Sequence, residues 1–279
     1  MYKSNLAVLC LLILSLSSCK NTQKSNTTDN SEITETAPET RQARFLLVHS
    51  AWLGGWQWEQ VAKPLLEAGH CVFTPDLRGH GTDATPSSEI SMERYLKTIT
   101  DLLDTQKEPV ILVGHSFNGI TISRVAELHP EKIEKLVYLT AFLLPEGGSF
   151  FKAVSGVEGS KAVENFILQK TKYALVKEAK MHNAFAHDIP LEAVEAAKPS
   201  IVPEPVAPLG YELEITDKNF GMLPKYYIEC TEDRAIPIAV QRSMYQGKVE
   251  KVFSLNTSHT PNFSQPGELA KILLEIAGL

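Results

Sequence analysis

Cysteine and concentrated positive charge are both scarce in this chain, and each scarcity excludes a class of protein. The 279 residues hold only 4 Cys, too few for a small scaffold stapled by disulfides. Lys and Arg number 27 against 33 Asp and Glu, a formal charge of −6, and no segment gathers the basic residues into a stripe. Nucleic acid is therefore not expected as a partner. Gly and Pro, 16 each, fall short of collagen-like or low-complexity composition. The histidines show no paired ligand spacing and no Gly-rich loop has phosphate-loop spacing, so neither a metal nor a cofactor is expected. What remains is 43% hydrophobic residues, enough to bury one sizeable core without staples.

The N-terminal nineteen residues, MYKSNLAVLCLLILSLSSC, carry Lys3, an apolar run from Leu6 to Leu16, and small Ser17 and Ser18 before Cys19. That run is too short for a membrane span and reads as a signal peptide. Its ending, LSSC, resembles the lipobox of bacterial lipoproteins, which implies a lipid on Cys19 after cleavage. Acyl chains contribute about 0.8 kcal/mol per buried CH₂, so such a Cys19 holds the protein on a membrane without a spanning helix. The expectation is an exported, lipid-anchored protein on the periplasmic or cell-surface side. Residues 20–43 are rich in Asn, Ser, Thr and Glu; with little apolar surface to offset ordering entropy, they read as a flexible linker. Of the cysteines, Cys71 and Cys230 are left for the folded part, residues 44–279. They are expected on strands four positions apart at about 4.8 Å spacing, beyond the roughly 7 Å reach of a disulfide. Two free, buried thiols follow.

In 44–279, short apolar runs alternate with helical spacing. FLLVHS (45–50), CVFTPD (71–76), VILVGHS (110–116), KLVYLTA (135–141), KYYIECT (225–231) and KVFSLN (251–256) read as buried parallel strands. Helices are expected over Gln57 to Ala68, Met92 to Thr105, Gly119 to His129, Ile238 to Gln246 and Pro266 to Ile276. This alternation predicts an α/β fold, a mostly parallel, doubly wound sheet. One interval breaks the rhythm. Residues 145–221 offer no clear buried strand, carry helical patterns at Lys161 to Ala179 and Leu191 to Ala197, and end in a Pro-rich piece. They read as a helical cap whose inner face is Phe150, Phe151, Phe166, Tyr173, Met181 and Phe185, residues that also serve to hold it on the core.

The strongest chemical signal is VILVGHSFNGITISRVAEL, an apolar strand, a turn at Gly114 to Gly119 and a helix. A nucleophile elbow requires this context: the turn lifts a serine clear of the sheet, and the helix N-terminus offers N–H groups to a developing negative charge. Asn118 stands where G-x-S-x-G has its second Gly; Asn tolerates unusual backbone angles, and Gly119 follows at once. Ser116 is the candidate nucleophile. A serine needs a base, and the base an orienting carboxylate, which follow such an elbow in the order acid, then His. Of 8 His, only His259 falls after the last strand. Asp233 follows the strand KYYIECT, with Glu232 as its rival. The place after KLVYLTA, another possible acid position, holds Thr140 and Ala141.

Acyl transfer also needs oxyanion donors, one after the nucleophile and one after the first core strand. These are the backbone N–H groups of Phe117 and Ala51. Gly54 and Gly55 let the second loop fold closely. Ser50, Trp52 and Phe142 are the candidate pocket residues, while Trp56 and Trp58 are expected to pack the following helix.

With these residues in place, HSAWLGGWQWEQVAKPLLEAGHCVFTPDLRGHG, VILVGHSFNG, KIEKLVYLTAFLLPEG, TEDRAIPIAVQRSMY and SHTPNFSQPGELAKIL resemble the α/β-hydrolase group of bacterial esterases, plant methylesterases and hydroxynitrile lyases. The resemblance covers 44–279, most weakly in the cap. It implies a triad of Ser116, Asp233 and His259, oxyanion donors Ala51 and Phe117, a cap over the pocket and a small-molecule ester substrate. Two departures bear on the reaction. Ser50 stands where those esterases have Gly and those lyases Thr, and Thr260 stands where the lyases have the Lys that handles cyanide. Bacterial members include polyketide methylesterases and esterases that open macrolide lactones. A bulky apolar ester or lactone is therefore the implied substrate, the macrolide ring being one candidate and antibiotic resistance its consequence. A methylesterase of a small aromatic or polyketide ester, a lyase and a cofactor-free perhydrolase are the alternatives on the same fold.

Overall fold

Strand patterning of period two is realised as two apolar faces on one sheet. In the computed structural model, which describes residues 41–279 apart from 171, the strands are β1 Arg44–Val48, β2 Cys71–Phe73, β3 Val110–His115, β4 Ile133–Leu139, β5 Phe166–Leu168, β6 Tyr173–Val176, β7 Glu204–Pro205, β8 Lys225–Cys230 and β9 Lys251–Leu255. The helices are α1 Glu59–Glu67, α2 Met92–Asp104, α3 Gly119–Leu128, α4 Phe150–Val154, α5 Glu178–Phe185, α6 Leu191–Ala197, α7 Val206–Leu209, α8 Ile238–Tyr245, α9 Pro261–Ser264 and α10 Pro266–Gly278. The expected signal peptide, Cys19 and nearly all of the linker lie outside the described residues.

The six strands of the main sheet run in the order β2-β1-β3-β4-β8-β9, every pairing parallel. Alternate residues face opposite ways. Leu46, Val48, Leu112, Leu136, Tyr138 and Tyr227 pack with α2 and α3 on one face, while Phe45, Leu47, Ile111, Val113, Val137 and Ile228 pack with α1 and α10 on the other. Helix α2 buries Met92, Tyr95, Leu96, Ile99 and Leu103, the three-and-four spacing of a single apolar stripe. Each such Leu or Ile contributes roughly 1.5–3 kcal/mol by leaving water. Because all six strands are parallel, their carboxyl ends share one edge, and the loops leaving β1, β3, β4, β8 and β9 meet there.

The cap departs from expectation in kind. Leu191–Ala197 is helical as read, but the stretch 161–179, expected as a helix, holds a hairpin of β5 and β6, extended by β7 into a three-stranded antiparallel sheet. Its spacing of apolar residues allowed either structure. What selects the strands is the tight link between them, where Lys172 lies in the left-handed region at φ 65° and Gln169 N–H donates to Tyr173 O.

Of the two expected thiols, Cys230 is free and buried. Cys71 is disulfide-bonded, so that half of the expectation fails. The strand separation excluded Cys230 as its partner, and with β2 and β8 four places apart in the sheet that argument holds, but no other partner had been weighed.

Candidate active site

Strand β3 delivers Ser116 to the carboxyl edge of the sheet in a sharp turn. Ser116 has φ 58°, a left-handed conformation that costs a non-glycine residue about 1–3 kcal/mol. Its surroundings hold it there. Phe142 N–H donates to Ser116 O at 3.0 Å, and a Cβ at Gly119 would lie 2.6 Å from Phe142 O, so only glycine lets α3 begin this close to the loop after β4. Asn118 has ordinary angles, φ −73° and ψ 5°; its tolerance of unusual ones is not what the turn uses. Instead its Nδ2 donates to His49 O at 2.6 Å and its Oδ1 accepts from Thr121 Oγ1 at 2.6 Å. Where the motif has glycine, this chain has a bridge from the elbow to the end of β1.

The three residues read as a triad come together. Ser116 Oγ lies 2.8 Å from His259 Nε2, and His259 Nδ1 lies 2.6 Å from Asp233 Oδ2. All three are buried. Asp233 Oδ1 accepts the N–H groups of Ala235 and Ile236 at 2.7 and 2.9 Å, and Oδ2 accepts Thr140 Oγ1–H at 2.5 Å. With Asp233 Oδ2 facing Nδ1, that nitrogen of His259 carries the proton and Nε2 is left to accept from the serine. Glu232, the rival acid, is exposed.

Two members of this arrangement were passed over in the sequence. Thr140 was noted only for lacking a carboxylate; at φ 35° it turns the chain after β4 and presents its hydroxyl to Asp233. His115, the last residue of β3, is the second. It is fully buried; its Nε2 donates to His259 O at 2.8 Å and its Nδ1 accepts from Gln57 Nε2 at 3.1 Å. Burial, with His259 beside it, pushes its pKa well below the ordinary histidine value, so it is a neutral link. Gln57 Oε1 in turn accepts from Ser50 N–H at 3.0 Å and Ser50 Oγ–H at 3.1 Å. A chain of hydrogen bonds thus runs beneath the site from the backbone of His259 to the loop after β1.

Ala51 and Phe117, the expected oxyanion donors, are both buried; Phe117 follows Ser116 directly, and Ala51 lines the same pocket as Ser116. Ser50, Ala51 and Trp52 line a pocket with Ser116 and His259, closed by Leu53, Trp56, Met181, Phe185, Val194, Ile201, Thr260 and Phe263. Its volume is about 80 Å³. His259 is the only titratable side chain among the described residues that line it.

Two expectations about the pocket need correction. Phe142 does not line it. The turn at Thr140 sends its ring away, against Phe150 at 5.5 Å between centroids, where it borders a separate small void. Trp56, expected only to pack a helix, is a wall of the pocket beside Phe263, because the 3-10 turn of Gly55–Trp58 precedes α1 and aims it outward. Trp58 is fully buried in the core, as expected. The cap aromatics divide similarly: Met181 and Phe185 reach the pocket, whereas Phe150, Phe151 and Phe166 pack on one another and on Phe117.

The profile of the alpha/beta hydrolase family matches residues 45–272. A putative methylesterase of Arabidopsis thaliana, its methylesterase 11, is 36% identical over 251 residues, covering 84% of this chain and 63% of that protein. The pyrethroid hydrolase of Sphingobium wenxiniae is 33% identical over 246 residues, covering 84% of this chain and 87% of its own. Among solved structures, a pyrethroid hydrolase from Sphingobium faniae superposes with a TM-score of 0.77 at 30% identity, covering 85% of this chain and 98% of the other. The chain spans 63% and 56% of the length of two of the plant relatives.

Proposed function

Because this chain belongs to the alpha/beta hydrolase family, we propose that it is a serine-dependent carboxylic ester hydrolase acting on neutral, apolar esters. The observation that carries the reading is the unbroken Ser116–His259–Asp233 hydrogen-bond chain opening on a pocket whose described lining holds no Asp, Glu, Lys or Arg. In the reaction, Ser116 Oγ attacks the ester carbonyl as His259 Nε2 takes its proton. The tetrahedral oxyanion is met by the N–H groups of Ala51 and Phe117. As the carbonyl re-forms, the C–O bond to the alcohol breaks and His259 returns the proton to the leaving oxygen. Water, deprotonated by His259, then attacks the acyl-serine and releases the acid, and Ser116 recovers its proton.

Methylesterases and pyrethroid hydrolases among the relatives support an ester of a hydrophobic acid. The pocket, at about 80 Å³, is smaller than a roughly 150 Å³ cavity that holds benzene, which favours a slim acyl or alcohol group at the serine. A macrolide lactone, the larger candidate, enters only if the cap moves aside, and we place it second. Thr260 Oγ1 donates to Phe185 O at 3.0 Å, and no cationic side chain lines the pocket among the described residues, which disfavours cyanohydrin cleavage. Export and anchorage through Cys19 belong to this proposal on the sequence of residues 1–19 alone. Incorporation of labelled palmitate, abolished by Cys19→Ala, tests that part.

The activity is tested by hydrolysis of a p-nitrophenyl ester series, methyl benzoates, a pyrethroid and a macrolide by the full chain beside its Ser116→Ala variant. Turnover of the short and aromatic esters that disappears in the variant is the expected result. Folded protein inactive on every ester overturns the reading.

A further inference from the structure

Glu204 is a fully buried carboxylate on β7, a cap strand of two residues, and it does not border the pocket. Its two oxygens collect three donors from the core domain. Oε2 accepts Trp52 N–H at 3.1 Å and His80 Nε2–H at 2.8 Å, and Oε1 accepts Tyr95 O–H at 3.0 Å. The other nitrogen of His80 faces Arg78 O at 3.2 Å and Tyr95 OH at 3.4 Å. With acceptors at both ring nitrogens, His80 is doubly protonated and the pair is a buried ion pair. Its neighbours fit this state. His49, whose ring lies 5.0 Å away, donates from Nδ1 to Ser50 O at 2.8 Å and accepts Leu77 N–H at Nε2 at 3.0 Å, so it is neutral. Asp76 adds its negative charge to that of Glu204.

The position of Trp52 gives this cluster its meaning. Trp52 follows the proposed oxyanion donor Ala51 and is left-handed at φ 65°, a conformation a bulky residue does not hold unaided. The cap holds it at three points: Glu204 takes its N–H, Val202 N–H donates to its carbonyl at 2.9 Å, and its indole Nε1–H donates to Ala174 O at 2.9 Å. The two peptide planes flanking Ala51 are therefore both fixed by buried side chains. His49 fixes the Ser50–Ala51 plane, which carries the Ala51 N–H, and Glu204 fixes the Ala51–Trp52 plane.

We propose that Glu204, seated on His80 and Tyr95, is a positioning residue through which the cap aims the Ala51 N–H, so that the oxyanion hole is complete only when the cap is in place. This rests on the esterase reading above. Binding of substrate under a seated cap and stabilisation of the transition state are then linked through one carboxylate.

The test uses the full chain with Glu204→Gln, which keeps the shape and an acceptor but removes the charge, and Tyr95→Phe, which removes a single hydroxyl. Turnover of a p-nitrophenyl ester is measured together with inhibition by an alkyl trifluoromethyl ketone, which forms a tetrahedral adduct with the serine, and by the corresponding methyl ketone, which occupies the pocket without an oxyanion. For Glu204→Gln we expect kcat to fall about tenfold, less than the hundredfold or more that follows outright loss of an oxyanion donor, with KM within about twofold. Affinity for the trifluoromethyl ketone falls by the same factor as kcat/KM, and that for the methyl ketone does not change. Tyr95→Phe gives the same pattern at about threefold, and carries the test if Glu204→Gln does not fold. A lowered melting temperature with kcat and trifluoromethyl ketone affinity unchanged overturns the proposal and leaves Glu204 an anchor of the cap. An inactive wild type overturns the esterase reading and this inference with it, whereas wild-type activity lost in Ser116→Ala but kept in Glu204→Gln overturns the positioning role alone.

Discussion

The two sides of this site are held by different means. On the sheet side, Ser116, Asp233 and His259 leave parallel strands β3, β8 and β9 at one edge, and the backbone ladder of β3, β4, β8 and β9 fixes their spacing before any side chain acts. On the cap side, a three-stranded sheet and short helices cover the pocket with apolar residues and are tied down by the buried carboxylate of Glu204, by main-chain bonds and by single side-chain hydrogen bonds such as those of Trp52, Ser160, Ser258 and Thr260. The lesson is a division of labour: the sheet places the atoms of the proposed chemistry, and the cap chooses what reaches them. Substitutions on the first side should act on kcat and those on the second, Glu204 apart, on KM.

The largest effects therefore belong to the sheet. Ser116→Ala should lower kcat at least about 10⁴-fold, since removing a nucleophile leaves only binding and the oxyanion donors. Asp233→Asn should cost about 10³- to 10⁴-fold by presenting the wrong histidine tautomer to the serine. Glu232→Gln, at an exposed position one residue away, should stay within about twofold. Steady-state kinetics on one ester settle all three. A larger loss for Glu232→Gln than for Asp233→Asn breaks the assignment of the acid.

Next comes a difference in how the two sides respond to pH. His49, in the core, is brought from 6.5 to about 4, chiefly by burial and then by the charge of His80. A depressed histidine is neutral in the fold while the unfolded chain protonates, so stability is full above about pH 6.5 and declines as pH falls toward 4. The loss from His49 is about 3 kcal/mol at 1.36 kcal/mol per pK unit, and His115 adds to it. His80, at the joint with the cap, has the opposite sign. Although burial opposes its charge, Glu204 raises its pKa, so its contribution is present below about 6.5 and is lost as pH rises through the raised value. Urea unfolding between pH 4 and 9 should show both limbs, and Glu204→Gln should remove the alkaline limb while leaving the acid one. A profile flat from pH 4 to 6.5 rules out the neutral core histidines.

How far the sequence reveals each side follows from the same division. Strands β1, β3, β4, β8 and β9 announce themselves by short apolar runs, and elbow, acid and base follow the runs of β3, β8 and β9, so chain order alone points to Ser116, Asp233 and His259. The cap has no ladder of that kind. Over 161–179 the apolar spacing suits helix or hairpin, and the choice is made by a left-handed Lys172 that no residue type advertises. Glu204 stands between two prolines in a Pro-rich stretch, and nothing local marks it as the partner of His80, 124 residues earlier. Phe142 and Trp56 illustrate the same point: both are aromatic and near the elbow or the loop after β1, and only the turn geometry decides that Trp56, not Phe142, faces the pocket.

A smaller effect is expected from the cap itself. Met181 lines the pocket on α5, is partly buried and appears in none of the hydrogen bonds to the triad. Met181→Ala removes apolar contact with the substrate worth about 1 kcal/mol, so KM for the longest p-nitrophenyl ester that is turned over should rise roughly fivefold. The acetate ester should be unaffected and kcat should hold within about twofold. A fall in kcat with unchanged KM means that the cap enters the chemistry through more than the one carboxylate.

The smallest effect tests the sheet side where the sequence was least informative. Thr140 holds a position that another arrangement of the same fold gives to the acid, and its hydroxyl donates to Asp233 Oδ2, the oxygen that also faces His259. Thr140→Val keeps the shape and the β-branch and removes one donor from a carboxylate that retains the N–H groups of Ala235 and Ile236 on its other oxygen. Relieved of that competitor, Oδ2 is freer to bond His259, yet it is also less firmly aimed, since what remains near it is Gln241 Nε2 at 3.5 Å. A hydrogen bond to a charged group is worth about 1.5–3 kcal/mol when lost from a buried site, and most of that should appear as stability. Aim should dominate the kinetics, giving a fall in kcat of roughly three- to fivefold with KM unchanged, because only distorted geometry at His259 reaches the transition state. Restoration of kcat by Thr140→Ser, which returns the hydroxyl without the methyl group, distinguishes this from loss of packing. If Thr140→Val leaves kcat intact, the two N–H bonds on Oδ1 suffice to aim the acid, and the sheet side is fixed by its backbone alone.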